Sequence, residues 1–538
     1  MPPPRWAWTG CRRFRGAQAL NRMARSGSTL FSGGLVRPLG SAEDAGWVLV
    51  SDGRVEGVGL ESDMPSADRT VDLAGGVLVP AFCDAHCHLP ATGLYTLGLD
   101  FRGETRAAPI LDALASRAAA GGELLFGGNF EDPLDEPLTA TALDRAVGDN
   151  DALVIRADMH SCVVSSSLLA RLDLAGLEGV DVDESGVPTG YLREDAASGA
   201  FGFFDRNLPP GQQRSALRAA VELAYSKGVV AVDEMFIPDW RGWDQLELLQ
   251  EVTAEAALDV AIYPATDDVD RVVELGFTRI GGDYFLDGSF GSHTAWMKEP
   301  YEESPPPGSP PDGIRYRSDD ELLEFFRRSH ERGIQVGVHA IGDAAIEQAL
   351  STWKLVGQGS SNGIRELGHR IEHFECATDD HIKRAAGLGL RISIQPAFDW
   401  LWGGADGLYA RRLGSTRALG MNRFGSMKRA GLSLGAGSDS TVTPLDPFLQ
   451  MAALRQHHVP EESLVSNEAL TLHTVGSFGL RSRGGPPRGV MAPTSPADFA
   501  LLDRDPLAVT VEELLETRVL GTWISGTRVW PPAEAERA

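Results

Sequence analysis

Two histidines one residue apart close the segment Val79-Pro80-Ala81-Phe82-Cys83-Asp84-Ala85-His86-Cys87-His88. Alternate side chains of a strand share a face, so His86 and His88 point the same way. Two imidazoles converging at the end of a buried strand make half of a transition-metal site. The pattern recurs. Ile334-Gln335-Val336-Gly337-Val338-His339 is another apolar run ending in histidine, and Ala340-Ile341-Gly342-Asp343 follows it. Then come His369-Arg370-Ile371-Glu372-His373 and Leu432-Ser433-Leu434-Gly435-Ala436-Gly437-Ser438-Asp439. Each reads as a short strand with a ligand-type residue at its C-terminal end, where a (β/α)8 barrel carries its chemistry. Imidazoles and a carboxylate around a divalent metal suit hydrolysis: the ion acidifies water and polarises a carbonyl.

Eight strands must hold these residues. The first ends at His88. The second covers 228–233, the third 258–263 and the fourth 283–287. The fifth and sixth end at His339 and His373, the seventh covers 391–395, and the eighth ends at Asp439. Helical patterns such as 320–326 separate them, as a βα alternation requires. The expected fold is therefore α/β, a TIM-like (β/α)8 barrel over 81–484. The stretch from His88 to Gly228 is too long for a plain crossover and reads as an inserted cap at about 101–210. Short apolar runs between turns at 28–80 and 485–530 read as a small β-sandwich built from both chain ends.

Composition narrows the function classes. The chain has 538 residues, a net charge of −26 and a pI of about 4.9. Such a surface disfavours nucleic acid and anionic membranes. No apolar run is long enough to span a bilayer. Five scattered cysteines do not make a disulfide framework, and Cys83 and Cys87 fall on the strand face opposite the histidines. The expectation is a cytoplasmic protein acting on a small molecule, with a homo-oligomer left open. Residues 1–27 are arginine-rich without a continuous apolar core, so they read as a disordered extension, with Met23 an alternative start. No phosphate loop occurs. The Gly-x-Ser-x-Gly string at 359–363 lacks the preceding strand of a nucleophile elbow.

The ordered set His86, His88, His339, His373 and Asp439 resembles the metal-dependent amidohydrolase superfamily. The segments 186–194, Leu286-Asp287-Gly288-Ser289, His339-Ala340-Ile341-Gly342-Asp343 and Gly437-Ser438-Asp439 narrow this to the amidohydrolase 3 (YtcJ-like) branch, which includes N-substituted formamide deformylase. The resemblance implies a hydrolase cleaving an amide C–N bond of N-acyl or N-formyl type with one or two divalent ions, zinc being expected. It implies His86, His88 and Asp439 as ligands of the inner metal, with Asp439 also the proton-carrying base. His339 and His373 would hold a second metal or assist water and substrate. A lysine of related proteins is replaced here by Asp283, which either binds metal or falls short; its length leans toward one firmly held ion. His160 would face substrate or the developing oxyanion, or simply support the cap. Glu194 would face the site or start a helix. Asp287 would contact substrate or sit behind a ligand, and Asp343 would orient a ligand or cap a helix. Trp400, with Phe398 and Trp402, would line a pocket or pack. A deaminase or an ester or lactone hydrolase could use the same metal shell, but His339-Ala340-Ile341-Gly342-Asp343 lacks the glutamate usual after that histidine in deaminases. A non-catalytic assembly barrel would not need these five residues intact.

Overall fold

The alternating segments near the two termini meet in one sheet. The computed structural model describes residues 27–532 except 41–42, 122–124, 132, 158–160, 178, 306–308, 360–362 and 482–485. The strands Thr29–Val36, Ala45–Ser51, Arg54–Gly59, Arg69–Asp72 and Val77–Pro80 share this sheet with Phe499–Leu502, Val519–Ile524 and Thr527–Trp530. Its seam is the antiparallel pairing of Phe499 with Pro80 and Leu502 with Val77. Phe31 packs edge-on against Phe499 and Trp523, ring centroids 5.4 and 5.5 Å away, an arrangement that adds to simple area burial. The extension expected over 1–27 lies, but for residue 27, outside the described residues.

The sheets are mixed, and the central pairings of this α/β fold are parallel. Phe82–Cys87 pairs with Val229–Phe236, which pairs with Asp259–Pro264. Arg279–Ile280 pairs with Gln335–Val336. His339–Ala340, Arg370–His373, Arg391–Ile394 and Ser433–Ala436 follow in order. A parallel bridge between Cys87 and Ser440 links the end of this series to its start. Parallel strands covered on both faces read as unbroken apolar runs. Val229–Phe236 is buried at every position, and so are the charged Asp233 and Glu234 within it. Outer helices show the complementary stripe: Asp319–Glu331 opens with a Ser318–Glu321 capping box and buries Leu322, Phe325, Phe326, Ser329 and His330.

The fourth strand departs from expectation. Regular pairing covers Arg279–Ile280, and within 283–287 it resumes only as one parallel bridge, Phe285 with His339. Gly281 and Gly282 interrupt it at φ 87° and 68°. A Cβ on Gly281 would lie 2.0 Å from the Gly337 oxygen, and one on Gly282 would lie 2.4 Å from the Met235 sulfur. Only glycine fits both the conformation and the space. The kink carries the following residue, Asp283, into the interior, where it is 4% exposed. The first strand likewise stops at Cys87, with His88 capping the helix Leu89–Leu97. The last stops at Ala436, short of Asp439.

Between Cys87 and Val229 the chain builds a second, six-stranded sheet. Its order is Val180–Val182, Pro188–Arg193, Ser161–Val164, Leu153–Arg156, Phe126–Phe130 and Leu99–Asp100. It has its own apolar clusters, one around Phe126, Ile155, Leu192 and Phe204 and another around Ile110, Phe130 and Leu143.

Candidate metal centre

The strand ends bring four ligand-type side chains to one point. Single atoms of His86, His88, Asp283 and Asp439 lie within 4.8 Å of one another. The His86 Nε2 is 3.3 Å from Asp283 Oδ1 and 3.5 Å from Asp439 Oδ1. The His88 Nε2 is 3.0 Å from Asp283 Oδ2 and 3.2 Å from Asp439 Oδ1. Ligands about 2.0–2.1 Å from a tetrahedral zinc stand roughly 3.3 Å apart, so these separations have the scale of a coordination shell. Four atoms here, His86 Nε2, His373 Nε2, Asp283 Oδ1 and Asp439 Oδ1, are buried without a hydrogen-bond partner. Orphaned buried polar atoms are costly, and atoms arranged in this way fit a cation between them. Asp283 therefore reaches the cluster. Side-chain length alone suggested a shortfall, and the glycine kink supplies the missing reach.

His373 and His339 continue the row. The His373 Nε2 is 3.8 Å from Asp283 Oδ1, its ring centroid is 4.8 Å from that of His86, and His339 stands 4.5 Å beyond. Two of the residues adopt left-handed backbone, His373 at φ 70° and Asp439 at φ 52°. Such strain in non-glycine residues persists where surroundings enforce it, and it concentrates at functional sites. At Asp439 the enforcement is visible. Its N–H donates to the His86 oxygen at 2.8 Å, and the His88 N–H donates to Ser440 at 2.9 Å. Gly437 permits the approach, since a Cβ there would sit 2.4 Å from the His86 nitrogen.

The other ring nitrogens are held from behind. His86 Nδ1 meets Glu372 Oε2 at 3.0 Å, His88 Nδ1 meets the Met235 oxygen at 3.1 Å, and His373 Nδ1 meets Gln395 Oε1 at 2.8 Å. Each contact leaves Nε2 facing the cluster, as a fixed tautomer requires. Sequence reading missed Glu372, Gln395 and two further carboxylates. Asp84 accepts from the N–H groups of His86 and Ser438 at 3.1 and 3.0 Å, tying first strand to last. Glu234 accepts from the Leu89 N–H at 2.6 Å, next to His88. Burial pushes Asp84 up to about 6 and Glu234 up to about 7. The available signal was a charged residue inside an otherwise apolar strand.

Electrostatics favour protons on the imidazoles of this cluster. Burial works to lower the imidazole pKa values, but Asp283 and Asp439 outweigh it, taking His88 to about 10 and His86 well above its usual value. Burial works to raise Asp283, but His86, His373 and His88 hold it well below the carboxylate range. A ligating imidazole must be neutral, so loading has to expel these protons. Metal affinity is expected to rise with pH from neutrality towards about 10, and loading at neutral pH should release about one to two protons. Calorimetry in buffers of different ionisation enthalpy reads that number. No proton release, or affinity that falls as pH rises, would contradict this electrostatic picture.

The remaining expected residues are distributed as follows. Asp287 is fully buried, and its carboxylate accepts the N–H groups of Trp296, Ile341 and Gly342 at 2.9, 3.0 and 2.7 Å. It lies 3.3 Å from His339 Nδ1. Its oxygens are engaged by the backbone, which makes it a loop anchor behind His339. Asp343 opens the helix Asp343–Gly359 and accepts from the Lys298 N–H at 2.8 Å. On the helix Pro396–Trp402, Phe398 stacks on His373 with centroids 6.0 Å apart, and Trp402 packs behind Phe398 at 4.9 Å. Trp400 on the same helix is half-buried. Glu194 is the first residue of the helix Glu194–Arg206. His160 lies outside the described residues.

Histidines and aspartates gathered at the ends of parallel strands, with unpartnered atoms facing one another, define an α/β protein built around a candidate metal centre. More narrowly, the chain belongs to the amidohydrolase family, which residues 69–530 match. It is similar to the putative amidohydrolase YtcJ of Bacillus subtilis (strain 168), 29% identical over 533 residues that cover 90% of this chain and 95% of the relative. It is similar to N-substituted formamide deformylase of Arthrobacter pascens, 26% identical over 530 residues covering 89% and 94%. The crystal structure of an uncharacterized metal-dependent hydrolase from Pyrococcus furiosus matches with a TM-score of 0.73 at 27% identity, covering 89% of this chain and all of that one. Among the described residues no helix is long and apolar enough to cross a membrane.

Proposed function

We propose that this chain hydrolyses the C–N bond of a small amide, of N-acyl or N-formyl type, with one or two divalent ions per chain. The observation that carries the reading is the ring of buried, unpartnered ligand atoms on His86, His373, Asp283 and Asp439. The names of the relatives, an amidohydrolase and a formamide deformylase, support the bond type. Zinc is the ion this donor set favours. When bound, it supplies Lewis acidity towards a carbonyl and acidifies a water.

The chain's own residues do the rest. His86, His88 and Asp439 hold the inner position, and Asp283 spans from it towards His373 and His339. Asp439 takes a proton from water and passes it to the leaving nitrogen. Phe398 stacks on His373 and holds its ring in place. His160, Glu194 and Trp400 are the groups we assign to the substrate side. The parallel strands are read as one closed (β/α)8 barrel over 81–484, with a cap at 101–210 and an end-built β-sandwich of 28–80 with 485–530. The working compartment is read as the cytoplasm.

Metal-stripped and zinc-reconstituted protein should be offered N-formyl and N-acyl amides alongside esters, lactones and amino-substituted bases. Zinc-dependent release of an amine from an amide is expected. Turnover of the other classes alone would overturn the bond assignment. The variant Asp283→Ala adds a second check. It removes a carboxylate within 3.0–3.8 Å of three imidazoles, so metal content and activity should fall together. Wild-type metal content in that variant would remove Asp283 from the ligand set.

A further inference from the structure

Seven charged side chains of alternating sign lead, contact by contact, from the end-built sheet to the metal centre. Asp498, just before the strand Phe499–Leu502, accepts from Arg488 at 3.3 Å. Arg488 also bonds Asp259, and Asp259 accepts from Arg481 at 2.9 Å. Arg481 bonds Asp233, and Asp233 in turn bonds Arg370. Arg370 grips Glu372 with two parallel bonds of 2.8 Å, Nε to Oε1 and the terminal nitrogen to Oε2. Glu372 Oε2 then meets His86 Nδ1. Asp233, Arg370 and Glu372 are fully buried. A buried charge is tolerated only with opposite charge beside it, and here each interior member has an opposite neighbour on both sides.

The last link is specific to one ligand. Among the three histidines whose rear nitrogen has a described partner, His88 leans on a backbone carbonyl and His373 on a neutral amide. Of these three only His86 leans on a carboxylate; behind His339, Asp287 lies 3.3 Å from Nδ1 but its oxygens accept three backbone N–H groups. Arg370 cannot surrender its proton, so Glu372 has a permanent counter-charge and a single rotamer. The same guanidinium donates to the oxygen of Ala85 at 2.6 Å, one residue before His86. His86 is thus held through its ring and through its backbone by one arginine. A carboxylate acceptor raises the donor strength of a metal-binding imidazole and fixes its orientation more firmly than a neutral acceptor does.

We infer that Glu372, locked by Arg370 and the ion chain behind it, is a positioning residue that makes His86 the dominant anchor of the metal. This rests on the metal-centre reading above. The test is Glu372→Gln, which keeps the shape and an acceptor for His86 but loses the charge and one bond to Arg370. Metal-free wild type and variant are titrated with cobalt(II) and zinc against a competing chelator, and thermal unfolding of both metal-free forms is followed in parallel. The variant should bind the first ion about 10–100-fold more weakly, with a displaced cobalt absorption band, beyond any change in metal-free stability. Wild-type affinity and spectrum in a folded variant would overturn the inference, even if its unfolding midpoint drops, because the role would then be structural only. If Glu372→Gln does not fold, Glu372→Asp, which keeps the charge and retracts it by one methylene, is read by the same criteria. Failure of the wild type itself to bind metal would overturn the metal-centre reading instead.

Discussion

Asp439→Asn should lower turnover on any amide the enzyme accepts by about a hundredfold or more, the usual worth of a positioned general base. The change preserves size and leaves the backbone anchors in place: the Asp439 N–H on the His86 oxygen and the Asp439 oxygen under the Val442 N–H. What it removes is basicity, so the loss belongs in kcat rather than in KM. A hundredfold loss corresponds to about 2.7 kcal/mol of transition-state stabilisation. Because Asp439 also stands 3.2 Å from His88 Nε2 within the ligand set, metal content has to be measured on the same samples. A fully loaded Asp439→Asn protein with near-normal turnover would exclude the proton-carrying role.

Replacing both His86 and His88 by alanine should abolish binding at the inner position and take activity to background. The two imidazoles supply two of the four atoms in the cluster. With His373, they are also the groups that hold Asp283 ionised. Without them, Asp283 and Asp439 lose the two imidazoles that stand 3.0–3.5 Å from their oxygens, and His373, 3.8 Å from Asp283, cannot by itself complete the shell. The double variant is therefore expected to be metal-poor at neutral pH while its circular dichroism keeps the α/β signature. Wild-type metal content would show that the cluster is not where the ion sits.

The sequence made some of this legible and hid the rest for physical reasons. His86, His88, His373 and Asp439 stand out because a ligand-type residue at the end of an apolar run has little packing rationale. Asp283 was ambiguous. Side-chain length argues against it, but its reach is set by backbone, and the Gly281–Gly282 kink moves the chain inward. The glycine pair was visible, but its consequence depends on Met235 and Gly337, which approach only in the fold. The same kink splits the fourth strand, leaving Arg279–Ile280 as its regular part and one bridge at Phe285. Glu372 and Arg370 lay in a segment already singled out for its histidines. Charged residues inside a fully buried strand are a readable anomaly, but their partners Asp233 and Arg481 are distant in sequence, and no local period announces such a pairing. For Asp287 the sequence leaves two places open, against substrate or behind a ligand. Three backbone N–H groups occupy its carboxylate, which fits the place behind His339.

Anomalous diffraction at the zinc edge, on crystals of the zinc-loaded protein, tests the central claim most directly. The account predicts a peak about 2.0–2.2 Å from the Nε2 atoms of His86 and His88 and from a carboxylate oxygen of Asp439, with Asp283 contributing an oxygen to that ion or to a second one towards His373. A zinc-loaded crystal whose anomalous peaks lie elsewhere, with none between His86, His88, Asp283 and Asp439, would contradict it.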